Sequence, residues 1–135
     1  MQPTRWLGTL LIGLAVAACS LVPVAGPAVS VDNVSNTPAA IHVNGTWAGT
    51  YAPGASGDVA LSGRGAPPYR ITVISPTGTV LTELTLTEED LQAGENGDGG
   101  VRVGSKWPCG TVRLSFALGP PEAVEPVPVG QPPCP

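Results

Sequence analysis

Three stretches of the chain alternate between hydrophobic and polar residues. In TVRLSFAL, residues 111–118, Val, Leu, Phe and Leu occupy the even positions, and Thr, Arg, Ser and Ala occupy the odd ones. YRITVIS (69–75) and TVLTELTLT (79–87) show the same period of two, which places Val80 on the face of Leu84. A period of two puts alternate side chains on opposite faces of an extended backbone. All three stretches are therefore predicted to be half-buried β-strands.

The segment AIHVNGTWAGTY, residues 40–51, predicts a β-hairpin. Its central Asn-Gly dipeptide readily adopts the positive φ angles of a type I′ turn, and a two-residue turn fixes the pairing of the flanking strands. A second turn is predicted at SPTG, residues 75–78, where Pro occupies the second position. The cross-strand pairs expected in the first hairpin are Val43–Thr46, His42–Trp47 and Ile41–Ala48.

Helix is scarce in the pattern. The one candidate is TEEDLQAG, residues 87–94, where Thr87 can cap the first turn together with Asp90 and Gly94 can end the last. The predicted fold class is therefore all-β: a small antiparallel sandwich of about seven short strands with an immunoglobulin-like outline. The Cys, Trp, Cys spacing of true immunoglobulin domains is absent, so the expectation concerns the architecture alone.

Composition divides the chain into segments. Gly and Pro are abundant, with 18 and 16 residues of 135, and they concentrate near the ends and in turns. SLVPVAGPA has the composition of a linker, and GPPEAVEPVPVGQPPCP that of an extended polyproline-like strap. We expect a signal peptide at 1–18, a modified cysteine and linker at 19–28, the sandwich at 29–118 and the Pro-rich C-terminal strap at 119–135.

The N-terminus has the layout of a signal peptide. Arg5 supplies a positive charge, and the following residues 6–18 are uncharged and largely apolar. A transmembrane helix needs about 20 apolar residues, and Ser20, Pro23 and Gly26 interrupt the run too early. Ordinary signal peptidase could cut before Ala18, which would leave all three cysteines in the secreted product.

VAAC at residues 16–19 resembles the lipobox of bacterial lipoproteins, in which an aliphatic residue and two small residues precede a cysteine. The resemblance implies cleavage between Ala18 and Cys19, a diacylglycerol thioether on the Cys19 sulfur and a further acyl chain on the new amine. Two or more acyl chains hold a protein durably on a membrane. The expected localisation is extracytoplasmic, on the outer face of the inner membrane or on an outer membrane.

The remaining cysteines predict a disulfide. With Cys19 acylated, Cys109 and Cys134 form a pair in a space where disulfides persist. Zinc is a poorer interpretation, because two sulfurs and the single histidine, His42, are scattered along the chain without the close pairs of structural zinc sites. We expect no metal and no cofactor.

The inventory of reactive side chains argues against catalysis. His42 is the one histidine, no GxSxG motif is present, and the paired cysteines offer no thiolate nucleophile. The consecutive acidic residues 88–90 suit a helix N-terminus, and GENGDGG (94–100) lacks the spaced carboxylates of a calcium loop. Nucleic acid is an unsuitable partner, because ten acidic residues outnumber six scattered basic ones.

The predicted hairpin brings aromatic residues together. His42 would lie beside Trp47. Trp47 and Tyr51, two positions before and two positions after Gly49, would lie on the same face of their strand. These side chains form either a surface patch that stacks on sugars or packs on a protein, or the inner face of the sandwich. The expected function is a non-catalytic interaction or structural module of the bacterial cell envelope, with an envelope protein or polysaccharide as partner and with the membrane contacted through the lipid on Cys19. The alternative is a lipoprotein that binds carbohydrate through the patch.

Overall fold

The strands of the chain pair into two antiparallel sheets. The computed structural model describes residues 26–118 and 125–135. Sheet 1 has the strand order β4-β1-β8-β7, and sheet 2 has the order β3-β2-β5-β6. The elements are β1 (Ala28–Ser35), β2 (Ala39–Val43), β3 (Thr46–Tyr51), β4 (Ser56–Ala60), β5 (Tyr69–Ile74), β6 (Val80–Leu86), α1 (Glu88–Glu95), β7 (Val101–Trp107) and β8 (Gly110–Phe116).

The predicted small all-β sandwich is confirmed, and the described residues contain eight strands rather than about seven. In an immunoglobulin sheet the first strand pairs with the second. Here β1 pairs with β4 and β8, and β2 belongs to the other sheet. The immunoglobulin likeness is therefore limited to the two-sheet architecture.

The core lies between the sheets and is built from the alternating positions that the sequence pattern identified. Each strand sends every second side chain inward, and the inner faces of the two sheets meet. Sheet 1 contributes Val29, Val31, Val59, Val112, Leu114 and Phe116, whereas sheet 2 contributes Ala39, Ile41, Val43, Ile71, Val73, Leu84 and Leu86. Cys109 and Cys134 belong to the same buried cluster, so the disulfide extends the core at one end of the sandwich.

The Asn-Gly hairpin forms as predicted near its tip. Asn44 and Gly45 both have positive φ angles, 50° and 82°, as a type I′ turn requires. The pairs Val43–Thr46 and His42–Trp47 are confirmed, but Ile41 lies opposite Gly49 and not opposite Ala48. A β-bulge inserts Ala48 as an unpaired extra residue, so the predicted register is wrong beyond the second pair.

A second bulge changes the face of Val80. Val73 pairs with Thr82, whereas the next residue, Ile74, pairs with Val80, which leaves Leu81 unpaired and buried. Val80 is 48% exposed, so the prediction that it shares the buried face of Leu84 is wrong. One extra residue reverses the alternation on one side of the bulge.

Helix α1 begins as the sequence predicts. The Thr87 hydroxyl accepts the Asp90 backbone N–H, and the Asp90 carboxylate accepts the Thr87 backbone N–H at 2.9 Å, which together form a capping box. The Asp90 carboxylate accepts hydrogen bonds from the Thr87 backbone N–H and also from the Thr87 hydroxyl, and both bonds, the backbone one first, lower the pKa of Asp90. Among the described residues, no helical segment has the length and hydropathy needed to span a membrane.

The described part of the C-terminal strap, residues 125–135, is held at the end of the sandwich where β8 begins. The Asn36 carboxamide donates to the carbonyl oxygens of Gln131 and Pro132 at 2.8 and 3.0 Å. The Cys134 backbone N–H donates to the Thr37 hydroxyl at 2.7 Å, and the Ser75 hydroxyl donates to the Pro135 carbonyl. These hydrogen bonds and the disulfide bind the chain terminus to both sheets.

At Gly110, beside the disulfide, the backbones of β8 and β1 approach too closely to leave room for a side chain. Its φ is 117°, and a Cβ there would overlap the Val34 carbonyl oxygen and lie 2.7 Å from the Ser35 Cα. Backbone atoms cannot rotate away, so we expect Gly110→Ala to lower the free energy of unfolding by about 2 kcal/mol in urea denaturation. Gly99→Ala is the matched control, because its nearest neighbour, the Ala93 Cβ, lies 3.7 Å away. Equal stability of the two variants would contradict this account.

Candidate functional site

The outer face of sheet 2 carries the predicted patch only in part. Ile41 and Val43 of β2 point into the core, so His42 between them points outward, and its cross-strand neighbour Trp47 does the same. We call this surface the Trp47 face. Its members are Trp47 and Thr50 on β3, Ala40 and His42 on β2, Arg70, Thr72 and Ile74 on β5, and Val80, Glu83 and Thr85 on β6.

Trp47 is exposed and held in place. Its side chain is 61% exposed, and the indole N–H donates to the Thr50 hydroxyl at 3.1 Å. Residues 47 and 50 would face opposite sides of a regular strand. The bulge at Ala48 restores them to one side, so that the indole extends along the strand to Thr50.

His42 lies half-buried beside Trp47. It pairs with Trp47 on one side and with Thr72 of β5 on the other. Its Nδ1 atom is buried and has no hydrogen-bond partner among the described residues. The imidazole therefore forms part of the floor between neighbouring strands and offers little surface for proton transfer.

Tyr51 does not join the patch, and its predicted place beside Trp47 is wrong. It lies opposite the fully buried Ala39 and packs against the core. Its ring rests on Gly57 of β4, where a Cβ would lie 2.9 Å from the Tyr51 Cε1. Burial, and secondarily the charge of Asp58, raises the pKa of the Tyr51 phenol. Tyr51 therefore closes the edge of the sandwich between β3 and β4.

The charges on the Trp47 face neutralise each other. Arg70 and Glu83 form an ion pair at 2.9 Å between exposed side chains. The hydrogen bond from Arg70 lowers the pKa of Glu83, so both groups remain charged at neutral pH. The rest of the face consists of hydroxyl, imidazole, indole and aliphatic side chains, which gives a surface without net charge.

The predicted disulfide is present in the structure. The Sγ atoms of Cys109 and Cys134 lie 1.98 Å apart, their Cα atoms are separated by 5.1 Å, and both residues are buried. Cys19, the predicted lipid attachment site, lies outside the described residues, as do the signal peptide and residues 19–25. Within the described ranges, no three His, Cys, Asp or Glu side chains are grouped closely enough to hold a metal ion.

Two interior features, one fully buried and one partly buried, were not predicted from the sequence. Asn33, on the inner face of β1, is fully buried, and its carboxamide donates to the Thr37 and Tyr51 carbonyls at 2.9 Å. Trp107 of β7 donates its indole N–H to the Leu81 carbonyl at 2.9 Å and closes the edge between the sheets opposite Tyr51. The continued alternation Val29, Val31, Asn33 was the available signal for the first.

The end of the sandwich opposite the disulfide carries a shallow apolar groove of about 540 Å³. Its lining includes Pro27, Leu91, Phe116 and Ala117 together with the acidic residue Glu95. The polypeptide enters β1 beside this groove. The disulfide lies beyond the far end of β1, at a distance of roughly 25 Å for a strand of eight residues.

The chain matches no known protein family, no curated protein and no solved structure.

Proposed function

We propose that this chain is an exported, lipid-anchored domain that acts as a non-catalytic interaction module of the bacterial cell envelope. The pairing of Cys109 with Cys134 is the observation that supports the proposal. It accounts for two of the three cysteines and leaves Cys19, at the lipobox position, as the odd one. A buried disulfide suits an oxidising compartment outside the cytoplasm.

The fold fits an anchor that precedes β1. Residues 20–28 can reach at most about 30 Å when fully extended, so the groove end of the domain would lie close to the membrane. The acidic first turn of α1, Glu88 to Asp90, follows β6 at the same end. Its charge opposes close contact with an anionic lipid surface, and this repulsion decays over about 8 Å at physiological salt.

The Trp47 face is the binding surface that we assign to the module. It runs along the side of the sandwich, so a domain anchored through the groove end leaves it open to envelope components. The described part of the strap begins on the outer face of sheet 1, where Glu125 approaches Arg113 of β8 to 3.6 Å, and ends at the disulfide end of the sandwich, where Pro135 accepts from Ser75. Sheet 2 therefore offers the free face for a partner within the described part of the chain.

Replacement of the anchor cysteine tests the proposal. We expect Cys19→Ser to abolish labelling by radioactive palmitate and to move the protein from the detergent phase to the aqueous phase, because an oxygen cannot form the thioether. Mass spectrometry of the wild-type N-terminus should find an acylated residue 19. Ser20→Ala, next to the motif, is the control and should remain labelled. A free N-terminus at Ala18, or a labelled Cys19→Ser variant, would refute lipid anchoring.

A further inference from the structure

The indole ring of Trp47 is exposed on the Trp47 face and is held in a fixed orientation. The hydrogen bond from its N–H to the Thr50 hydroxyl directs the ring along β3 and restricts its rotation. A side chain that is already ordered loses less conformational entropy when a ligand binds. A flat aromatic surface that remains 61% exposed is suited to stacking against a flat apolar ligand surface.

The indole lies at one end of a row of outward-facing side chains that crosses the whole sheet. Trp47, His42, Thr72 and Glu83 are successive cross-strand neighbours on β3, β2, β5 and β6. Three strand spacings make this row about 14 Å long. Thr72 is nearly buried, so the surface is recessed between the indole at one end of the row and the Arg70–Glu83 pair at the other.

The chemistry of the row favours a neutral ligand rich in hydroxyl groups. Arg70 supplies hydrogen-bond donors and Glu83 supplies acceptors, and their charges cancel. A surface without net charge gives no electrostatic attraction to acidic polymers or to lipid headgroups. Sugars combine both required properties, because a hexose has an apolar ring face for stacking and hydroxyl groups at its rim.

The apolar content of the face is too small for a protein partner. Among the described residues, the large exposed hydrophobic side chains are Trp47, Val80, Leu118 and Val129. Only Trp47 and Val80 belong to this face, and they lie on its two opposite edge strands. A stable protein interface buries about 800 Å² on each partner around a dry, largely apolar centre.

We infer that the Trp47 face binds a neutral saccharide chain of the envelope, which stacks a sugar ring on Trp47 and extends across His42 toward the Arg70–Glu83 pair. The inference rests on the proposed interaction module and names its ligand class. The bulge at Ala48 is part of the site, because it brings Thr50 to the side of the sheet from which it orients the indole.

Isothermal titration calorimetry on the mature lipidated protein, which begins at Cys19, tests the inference. A zwitterionic detergent is used because sugar-based detergents would compete. The probes are tetrasaccharides of glucose, mannose, galactose and N-acetylglucosamine, with tetragalacturonate as the acidic comparison. We expect at least one neutral tetrasaccharide to bind with an affinity that is insensitive to salt and at least tenfold above that for tetragalacturonate.

Variants then locate the site. Trp47→Ala should weaken binding at least tenfold, Trp47→Phe less, and Thr50→Val, which keeps the shape but frees the indole, two- to fivefold. Val129→Ala, at a 93% exposed apolar residue of the strap, is the matched control and should bind as the wild type does. Thermal melts should be unchanged for Trp47→Ala, since most of that side chain is already in water.

Three outcomes overturn the inference: no neutral tetrasaccharide binds, Trp47→Ala binds as tightly as the wild type, or tetragalacturonate binds best. A cross-linked dimer that Trp47→Ala abolishes, in the absence of saccharide binding, would assign the face to a second copy of the chain. Each of these results leaves the lipid anchor at Cys19 standing, because palmitate labelling is measured separately.

Discussion

Replacing both Cys109 and Cys134 with serine is expected to lower the melting temperature of the protein by about 12 to 24 °C. The bridge joins residues 25 apart, and a loop of that length contributes about 3 kcal/mol in the chain-entropy model. One kcal/mol corresponds to about 4–8 °C for a domain of this size. Both sulfur positions lie in the buried core, where a serine hydroxyl must also find a hydrogen-bond partner. Circular dichroism melts measure the shift.

The strap should lose its protection in the same variant. Without the bridge, residues 125–135 remain attached mainly through the hydrogen bonds of Asn36, Thr37 and Ser75. We expect proteases to cleave the strap before the sandwich unfolds. Reduced wild-type protein should behave as the double variant does, whereas Asn36→Ala, which keeps the bridge, should melt within about 5 °C of the wild type. A double variant that melts at the wild-type temperature would show that the bridge contributes nothing.

The sequence predicts the strands well wherever a period of two continues without interruption. Strand β8 alternates from Val112 to Phe116, and the structure buries the residues that the pattern selects. The pattern cannot locate a bulge, because one inserted residue looks like an ordinary member of the strand. Ala48 and Leu81 are such insertions. Beyond each of them, the residues that the pattern assigns to the inner face lie on the outer face, and the reverse.

The same limit explains the candidate site. The Asn44-Gly45 turn fixes the register of its nearest pairs, so the neighbourhood of His42 and Trp47 was predictable. Tyr51 lies beyond the bulge and changes face, which no local signal indicated. The hydrogen bond from Trp47 to Thr50 depends on the same bulge, so the bulge that shifts the predicted register also orients the exposed indole.

The buried Asn33 shows why polar residues in an alternating pattern are hard to interpret. In the structure Asn33 is 0% exposed, and its carboxamide oxygen accepts the backbone N–H of Ser35 at 3.1 Å and its hydroxyl at 2.6 Å. With the donations to Thr37 and Tyr51, all the polar capacity of this side chain is used inside the protein.

We therefore expect Asn33→Ala to lower the free energy of unfolding by about 3 to 4 kcal/mol. The change removes the donor to the Tyr51 carbonyl and the acceptor for the Ser35 N–H, and each unsatisfied buried group costs about 1–3 kcal/mol. The Thr37 carbonyl also loses its hydrogen bond from Asn33 but keeps the one from the Ser35 hydroxyl at 3.0 Å. Urea denaturation measures the loss. Ser30→Ala, on the outer face of the same strand, removes an exposed hydrogen bond to Asp58 and should cost less than about 0.5 kcal/mol.

The nearly isosteric Asn33→Asp variant separates the loss of hydrogen bonds from the loss of volume. It keeps the shape but turns a donor toward two carbonyl oxygens into an acceptor, and burial raises the pKa of the new carboxyl group. The folded state therefore binds the proton more tightly than the unfolded state, whose pKa is about 3.9. Stability relative to the wild type should fall as the pH rises above that value, because the folded protein must then bury a charge or retain a proton. If the loss of stability of Asn33→Asp relative to the wild type is independent of pH between 3 and 7, the side chain reaches water and the interior position of Asn33 is wrong.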